Sequence, residues 1–404
     1  MRKYWLMIEP DTFIWKKKNR MLAYNTVNGG MLPLNCSDSW DDKYTTLMNP
    51  DNLYCVELTD IDFQDTLFAE SINSLTENGF AKLFVQKEGE DRPVSLYPLL
   101  SVQRSRAKFL KKPEILEYEN FLRYIQEVVI YLNGNEKDAN GLFKQQPYFL
   151  AGQGTLDYSL LGSFLERVKV STVGSIKICG KDIFAYEAFR PLLGELDKIH
   201  AAKELYVSCS QLIEHANEIK IAGSEQFKWK ITVDCWHPFV AQLLPLLADV
   251  HVEWVFYVTS LEDCESAENI IETNGLEKYQ VKPLFTGDNL SFFEEYIYLT
   301  EEDLRTIRLN KRQVFANMAL NVDDFGKLTV LPDGEIYANV NMPALGNLQR
   351  NDISHLVKDE ILYGKSWLRV REQQPCSECL YQWLCQSPSS YELAIGKSNL
   401  CHIR

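Results

Sequence analysis

Long apolar runs are missing from this chain. No stretch approaches the roughly 20 residues that a membrane-spanning helix requires, so no membrane partner is expected. The opening residues Met1-Arg2-Lys3-Tyr4-Trp5 carry no apolar h-region, and no signal peptide is expected. A cytoplasmic location is therefore expected, where cysteines serve as metal ligands or buried thiols rather than disulfides. Basic charge is in deficit: the formal net charge is -14, with the acids spread along the chain, which describes a soluble surface rather than an acidic tail. The largest basic run, Lys16-Lys17-Lys18-Asn19-Arg20, reads as a solvated hairpin tip, and no nucleic-acid partner is expected. Histidine is scarce, six in 404 residues, and no pair has metallohydrolase spacing. Phosphate-binding loop, nucleophile elbow and dinucleotide fingerprint are also absent.

The chain does have enough apolar material for well-packed cores, 46% apolar and 12% aromatic residues, and its 404 residues imply two to three domains. Residues 1–100 read as a small α+β unit. Trp5-Leu6-Met7-Ile8, Phe13-Ile14-Trp15 and Met21-Leu22-Ala23-Tyr24 are strand-like. A helix is predicted over Ile61 to Thr76, with Phe63, Leu67, Phe68, Ile72 and Leu75 on one face and Gly79 as its stop. Residues 101–124 form a polar linker with some helix.

Residues 125–311 alternate strands and helices. Strands are predicted at Val128–Leu132, Ile176–Cys179, Leu205–Ser208, Trp229–Val233, Val252–Val258 and Val281–Phe285. Helices are predicted at Asp157–Val168, Arg190–Ile199, Pro238–Ala248 and Leu261–Thr273. Six such repeats predict an α/β fold with a parallel sheet curled into a whole or partial (β/α)6 barrel, whose sites form at the C-terminal strand ends. From about residue 312 to 404 the texture changes, with a hairpin over Lys327–Tyr337 turning on Pro332-Asp333-Gly334 and a short helix around Asp352–Asp359.

Ten cysteines are present, and four fall in one C-terminal pattern: Cys376, Cys379, Cys385 and Cys401, spaced C-x2-C-x5-C-x15-C. A C-x-x-C turn points two sulfurs at one place, and the later pair completes a four-thiolate set for one metal centre. The other six, Cys36, Cys55, Cys179, Cys209, Cys235 and Cys264, are isolated in sequence, and packing is the default for them.

The β/α repeats, the Pro-Asp-Gly hairpin and the terminal cysteines together resemble radical SAM enzymes with a C-terminal SPASM domain, over about residues 125–404. In that family the SPASM domain holds two auxiliary [4Fe-4S] clusters on seven cysteines, C-x9-15-G-x4-C, then C-x2-C-x5-C-x3-C, then a last C. Here Asn339 stands near the first cysteine position, Asn351 at the second and Ser389 at the x3-C position. Cys376, Cys379, Cys385 and Cys401 match one cluster; the ligands of its neighbour are gone. The barrel also departs from the family. C-x3-C-x2-C after the first strand, which would leave one iron open to S-adenosylmethionine (SAM), is absent between Asn133 and Phe143. The Gly-Gly-Glu-Pro that binds the SAM amino group becomes Gly180-Lys181-Asp182 after Cys179, with a lysine where the bound amine would sit.

This pattern resembles the pseudo-radical SAM SPASM proteins of ribosomal peptide maturation. The resemblance implies no SAM binding or cleavage and one [4Fe-4S] cluster. It implies a non-catalytic accessory role, with a precursor peptide, an active radical SAM maturase, or both as partners. The N-terminal unit then becomes a leader-peptide-binding candidate, of the winged-helix kind with three strands and three helices, which binds by strand addition. On ligand type alone, one structural Zn2+ serves the four cysteines equally well. An enzyme with a repurposed barrel, using the cluster for electron transfer, is the reading from another class. His237, after the fourth barrel strand, is an outside candidate for ligand contact, and His402 for support of the metal site against a plain exposed tail histidine.

Overall fold

The computed structural model describes residues 2–87, 89, 91–94, 110–111, 113–117, 119–134, 141–147, 154–222, 226–233, 240–247 and 250–403. The N-terminal unit contains β1 (Lys3–Ile8), β2 (Thr12–Lys17), β3 (Arg20–Asn25), β4 (Met31–Asn35), α1 (Trp40–Met48), β5 (Cys55–Thr59), α2 (Thr66–Glu77) and β6 (Ala81–Val85). Two antiparallel sheets result, one ordered β5-β1-β6 and one β2-β3-β4. Six strands and two α-helices among the described residues differ from the three of each in a winged helix. The predicted helix start at Ile61 moves to Thr66 because Asp65 caps it, accepting from the Phe68 amide at 3.1 Å.

Period-2 alternation makes the β2-β3-β4 sheet a shared wall. Ile14, Met21 and Ala23 face the N-terminal core with Trp40, Phe68 and Ile72. Phe13, Trp15, Leu22 and Tyr24 face the C-terminal region, against Leu304, Phe315, Leu380 and Leu384. The hairpin tip is therefore only partly the solvated tip expected of the basic run: Lys18 is exposed, but Lys17 is tied to the C-terminal region.

The central region follows the predicted alternation: β7 (Glu127–Tyr131), α3 (Tyr158–Lys169), β8 (Ser175–Cys179), α4 (Phe189–Asp197), β9 (Ala202–Ser208), α5 (Cys209–Ala222), β10 (Phe227–Val233), α6 (Val240–Leu243), β11 (Val252–Val258), α7 (Leu261–Asn274) and β12 (Tyr279–Pro283). Of the helix predicted from Pro238 to Ala248, residues 238–239 and 248 lie outside the described residues. The described part is α6 and a 3-10 turn, Leu244–Leu246. Of the predicted linker, residues 101–109, 112 and 118 also lie outside them. After β12 come α8 (Leu290–Tyr296), α9 (Glu301–Thr306), α10 (Lys311–Ala319), β13 (Lys327–Val330), β14 (Glu335–Tyr337), β15 (Gly346–Asn347), α11 (Ile353–Tyr363) and α12 (Ser390–Ile395). Together they form a mixed α/β fold on a nine-stranded, mostly parallel sheet, ordered β12-β11-β10-β9-β8-β7-β13-β14-β15.

Six parallel strands in strict chain order require every right-handed crossover helix to cover the same face. Val128 and Ile130 accordingly join the helix-covered core with Phe164 and Leu192. Val129, Tyr131, Cys179 and Tyr206 face the other side. That inner side also carries charge: Lys230 lies 2.7 Å from Glu253 and 3.5 Å from Glu204, and Lys177 lies 2.6 Å from Glu127. The sheet curls. Flat, it would hold β7 and β12 about 24 Å apart, five spacings of about 4.8 Å. Yet the Phe143 ring packs 6.0 Å from Tyr131 on β7. Gln145, two residues on, exchanges hydrogen bonds of 2.7 and 2.8 Å with the Phe285 backbone just beyond β12.

Candidate functional site

Irregular backbone brings the four C-terminal cysteines together. Cys376 opens a 3-10 turn, Cys376–Glu378. The Cys379 amide donates to the Cys376 carbonyl at 3.0 Å, and the Cys385 amide donates to Tyr381 at 3.0 Å. Cys401 arrives from the chain terminus on a parallel bridge to Leu299, where the Leu299 amide donates to Leu400 and the His402 amide donates back to Leu299. All four thiols line one cleft of about 650 Å3. Among the described residues, no three His, Cys, Asp or Glu side chains are gathered so as to hold one metal ion. The arrangement is four thiols around one cleft.

Donors point at two of the sulfurs: Asn399 Nδ2 is 3.1 Å from Cys401 Sγ and Arg371 Nη1 is 3.7 Å from Cys376 Sγ. Burial pushes the Cys376 and Cys379 thiols up and takes Cys385 to about 12, while Arg371 pulls Cys376 and Cys385 back down. Binding of a metal centre here must displace protons, so loading depends on pH. The β2–β3 hairpin forms another wall of the cleft. Lys17 Nζ donates to the Ser377 carbonyl and to Gln382 Oε1, both at 2.7 Å, and Lys18 pairs with Glu378 at 2.8 Å. His402 does not reach a sulfur. Its Nε2 lies 2.7 Å from the Glu294 carbonyl and it is exposed. Arg371, Asn399 and Lys17 carried no signal in the sequence, because their relation to the cysteines is made by long-range packing.

Asn339, Ser389 and Asn351 each serve hydrogen bonds of their own surroundings. Asn339 is buried, and its Nδ2 donates to both Asp324 oxygens (3.1 and 2.9 Å) and to Ser390 Oγ at 3.1 Å. Ser389 caps α12 in a capping box with Glu392. Asn351 accepts from the Asn347 amide at 2.9 Å.

At the C-terminal ends of the parallel strands, Asn133 grips the turn after β8. Its Nδ2 donates to the Asp182 carbonyl at 2.6 Å, its Oδ1 accepts from the Asp182 amide at 3.1 Å, and its carbonyl accepts from the Lys181 amide. A Cβ on Gly180 would meet Asn133 Oδ1 at 2.6 Å, so this close approach requires glycine. The Lys181 side chain is exposed. Asp182 serves its own turn, accepting from the Phe184 and Ala185 amides. The segment 141–147 then crosses from β7 to the far strands. Besides Gln145, Gln146 donates to the Pro283 carbonyl at 3.3 Å, and Tyr257 on β11 donates to the Pro147 carbonyl at 2.6 Å. A cavity of about 20 Å3 remains between Val129, Tyr131 and this segment, room for a water but far below the ~300–1,000 Å3 of a small-molecule pocket.

Cys36, Cys55, Cys179 and Cys209 are buried and Cys264 is half-buried, in line with packing. Cys235 and His237 lie outside the described residues, as do residues 135–140 of the loop after β7. No helix among the described residues is long and apolar enough to cross a membrane.

No family model matches the chain. No curated protein matches it either. Among solved structures it is similar to Streptococcus suis SuiB bound to S-adenosylmethionine, at 14% identity and TM-score 0.43, covering 98% of this chain and 99% of that one. It is also similar to SuiB bound to its precursor peptide SuiA, at 14% identity and TM-score 0.43, over 100% and 99% of the two chains. Native anSMEcpe with bound AdoMet and peptide is a third such structure, at 12% identity and TM-score 0.42, over 65% of this chain and 88% of that one.

Proposed function

We propose that this chain is a non-catalytic accessory protein of peptide maturation, built on a degenerate radical SAM barrel and one SPASM-type cluster site. The observation that carries it is segment 141–147. It packs across the strand ends between β7 and β12, and among the described residues the cavity it borders beside β7 is about 20 Å3. Asn133 meanwhile engages the Lys181 amide and the Asp182 amide and carbonyl in the turn after β8. Both places are where SAM chemistry would stand in the family that the motifs resemble.

Cys376, Cys379, Cys385 and Cys401 would hold one [4Fe-4S] cluster. Their donor chemistry fits: four thiols face one cleft, N–H groups point at two sulfurs, and the Arg371 cation offsets thiolate charge. One structural zinc ion would use the same four thiolates. A cluster with four cysteine ligands supplies folding energy and one-electron transfer, with no open iron for substrate. The peptide partner would add as a strand to β6, which pairs on one side with β1 and exposes Leu83, Phe84 and Val85.

The test combines three assays on anaerobically purified, reconstituted protein: iron, sulfide and zinc content; 5′-deoxyadenosine formation from SAM with a reductant; and pull-down of a precursor peptide or an active radical SAM maturase. The expected result is about one cluster per chain, no 5′-deoxyadenosine and capture of a partner. SAM cleavage would overturn the non-catalytic reading, and zinc without iron would overturn the cluster.

A further inference from the structure

The cysteine turn and the N-terminal unit share a wall. Residues 374–385 hold one 3-10 turn and no longer regular element. On one side they carry Cys376, Cys379 and Cys385. On the other they meet the β2–β3 hairpin through Lys17 and through Leu380, Tyr381 and Leu384 against Phe13, Trp15 and Leu22. The two atoms that seat Lys17, the Ser377 carbonyl and Gln382 Oε1, belong to residues within three positions of a cysteine. The backbone bonds of this turn are local, reaching no more than four positions, such as Cys379 to Cys376 and Cys385 to Tyr381, so tying its thiolates to a common centre adds a constraint across the turn that these bonds do not supply. The opposite face of the hairpin sheet packs on Trp40, Phe68 and Ile72 of the N-terminal core.

From this we propose that Lys17 couples the loading of the four-cysteine site to the N-terminal unit. The loaded site holds Ser377 and Gln382 where they clamp the Lys17 ammonium, and emptying the site releases the β2–β3 hairpin from the C-terminal region. The proposal rests on the reading of these cysteines as metal ligands. Lys17 acts here as a positioning residue, and the hairpin reports site occupancy to the unit offered above for peptide binding.

Hydrogen–deuterium exchange of the full chain, with metal and sulfide analysis of the same samples, tests it. Three samples are compared anaerobically: reconstituted protein, the same protein stripped by chelator, and reconstituted Lys17→Met. On stripping, amides of β2 and β3 are expected to exchange about tenfold faster or more, while β10 and α2 keep their protection. Lys17→Met should show the same hairpin loss while retaining the full metal content. Equal hairpin protection in loaded and stripped protein would overturn the coupling alone. Loss of protection throughout the chain would also overturn it, because the site would then be a general staple. A chain that takes up neither iron and sulfide nor zinc would sink the metal-site reading, and this proposal with it.

Discussion

Arg371 Nη1 donates to Glu392 Oε1 at 2.8 Å and stands 3.7 Å from Cys376 Sγ, so one buried guanidinium joins the α12 cap to the cysteine cleft. The side chains are 10% and 3% exposed. Breaking such a pair from one side leaves an uncompensated buried charge. Arg371→Met should cost about 3–5 kcal/mol in urea unfolding at neutral pH. Arg371→Met combined with Glu392→Gln should recover part of it. Equal stability of Arg371→Met and the parent would refute the buried-pair account.

Lys230 sits at the centre of the inner face, 4% exposed, bonded to Glu253 and near Glu204. Lys230→Met leaves Glu253 paired with Lys228 but takes the cation from Glu204, so the expected loss is about 1–3 kcal/mol. The check is the denaturation midpoint of the variant, and a shift under about 1 kcal/mol would show that water reaches Glu204.

Asn133 satisfies the backbone amide and carbonyl of Asp182, so Asn133→Ala strands both groups in the turn after β8. The expected loss is about 1–3 kcal/mol, read by thermal or urea unfolding. Unchanged stability would mean that these groups find other partners.

Lys282, paired across from Tyr257 on the inner side of β12, is lowered to about 8 by burial and by repulsion from Lys177 and Lys230. Its ordinary value is 10.5, so between about pH 8 and 10.5 the unfolded chain holds the proton that the folded chain has released. Stability from this group therefore rises with pH across that window, and its penalty is fully present below about pH 8. Lys282→Met should be more stable than the parent at pH 7, with the difference shrinking toward pH 10.5. Parallel stability curves for the two proteins across pH 7–10.5 would contradict this.

Much of the architecture was legible because it is written in local periods. The strand runs at Val128–Leu132 and Trp229–Val233 gave the parallel strands β7 and β10. Asp157 before the apolar stripe of α3 marked that helix start, accepting from Ser159 and Leu160. The C-x2-C-x5-C-x15-C spacing singled out Cys376, Cys379, Cys385 and Cys401, which line one cleft. The basic run of Lys16 to Arg20 read as a hairpin, and it is one. Which wall that hairpin builds depends on contacts some 360 residues away in sequence, Lys17 to Ser377 and Gln382, which no local pattern encodes.

By itself, then, the sequence determined the order of strands and helices and the cysteine set, because each rests on spacing within a few residues. Tertiary structure decided the rest: that segment 141–147 lies across the strand ends, that Asn133 fills the turn after β8, and that Arg371 and Lys17 border the cysteines. Those outcomes arise where distant backbone is packed together and buried polar groups must find partners, which is a property of the folded chain and not of any stretch of it.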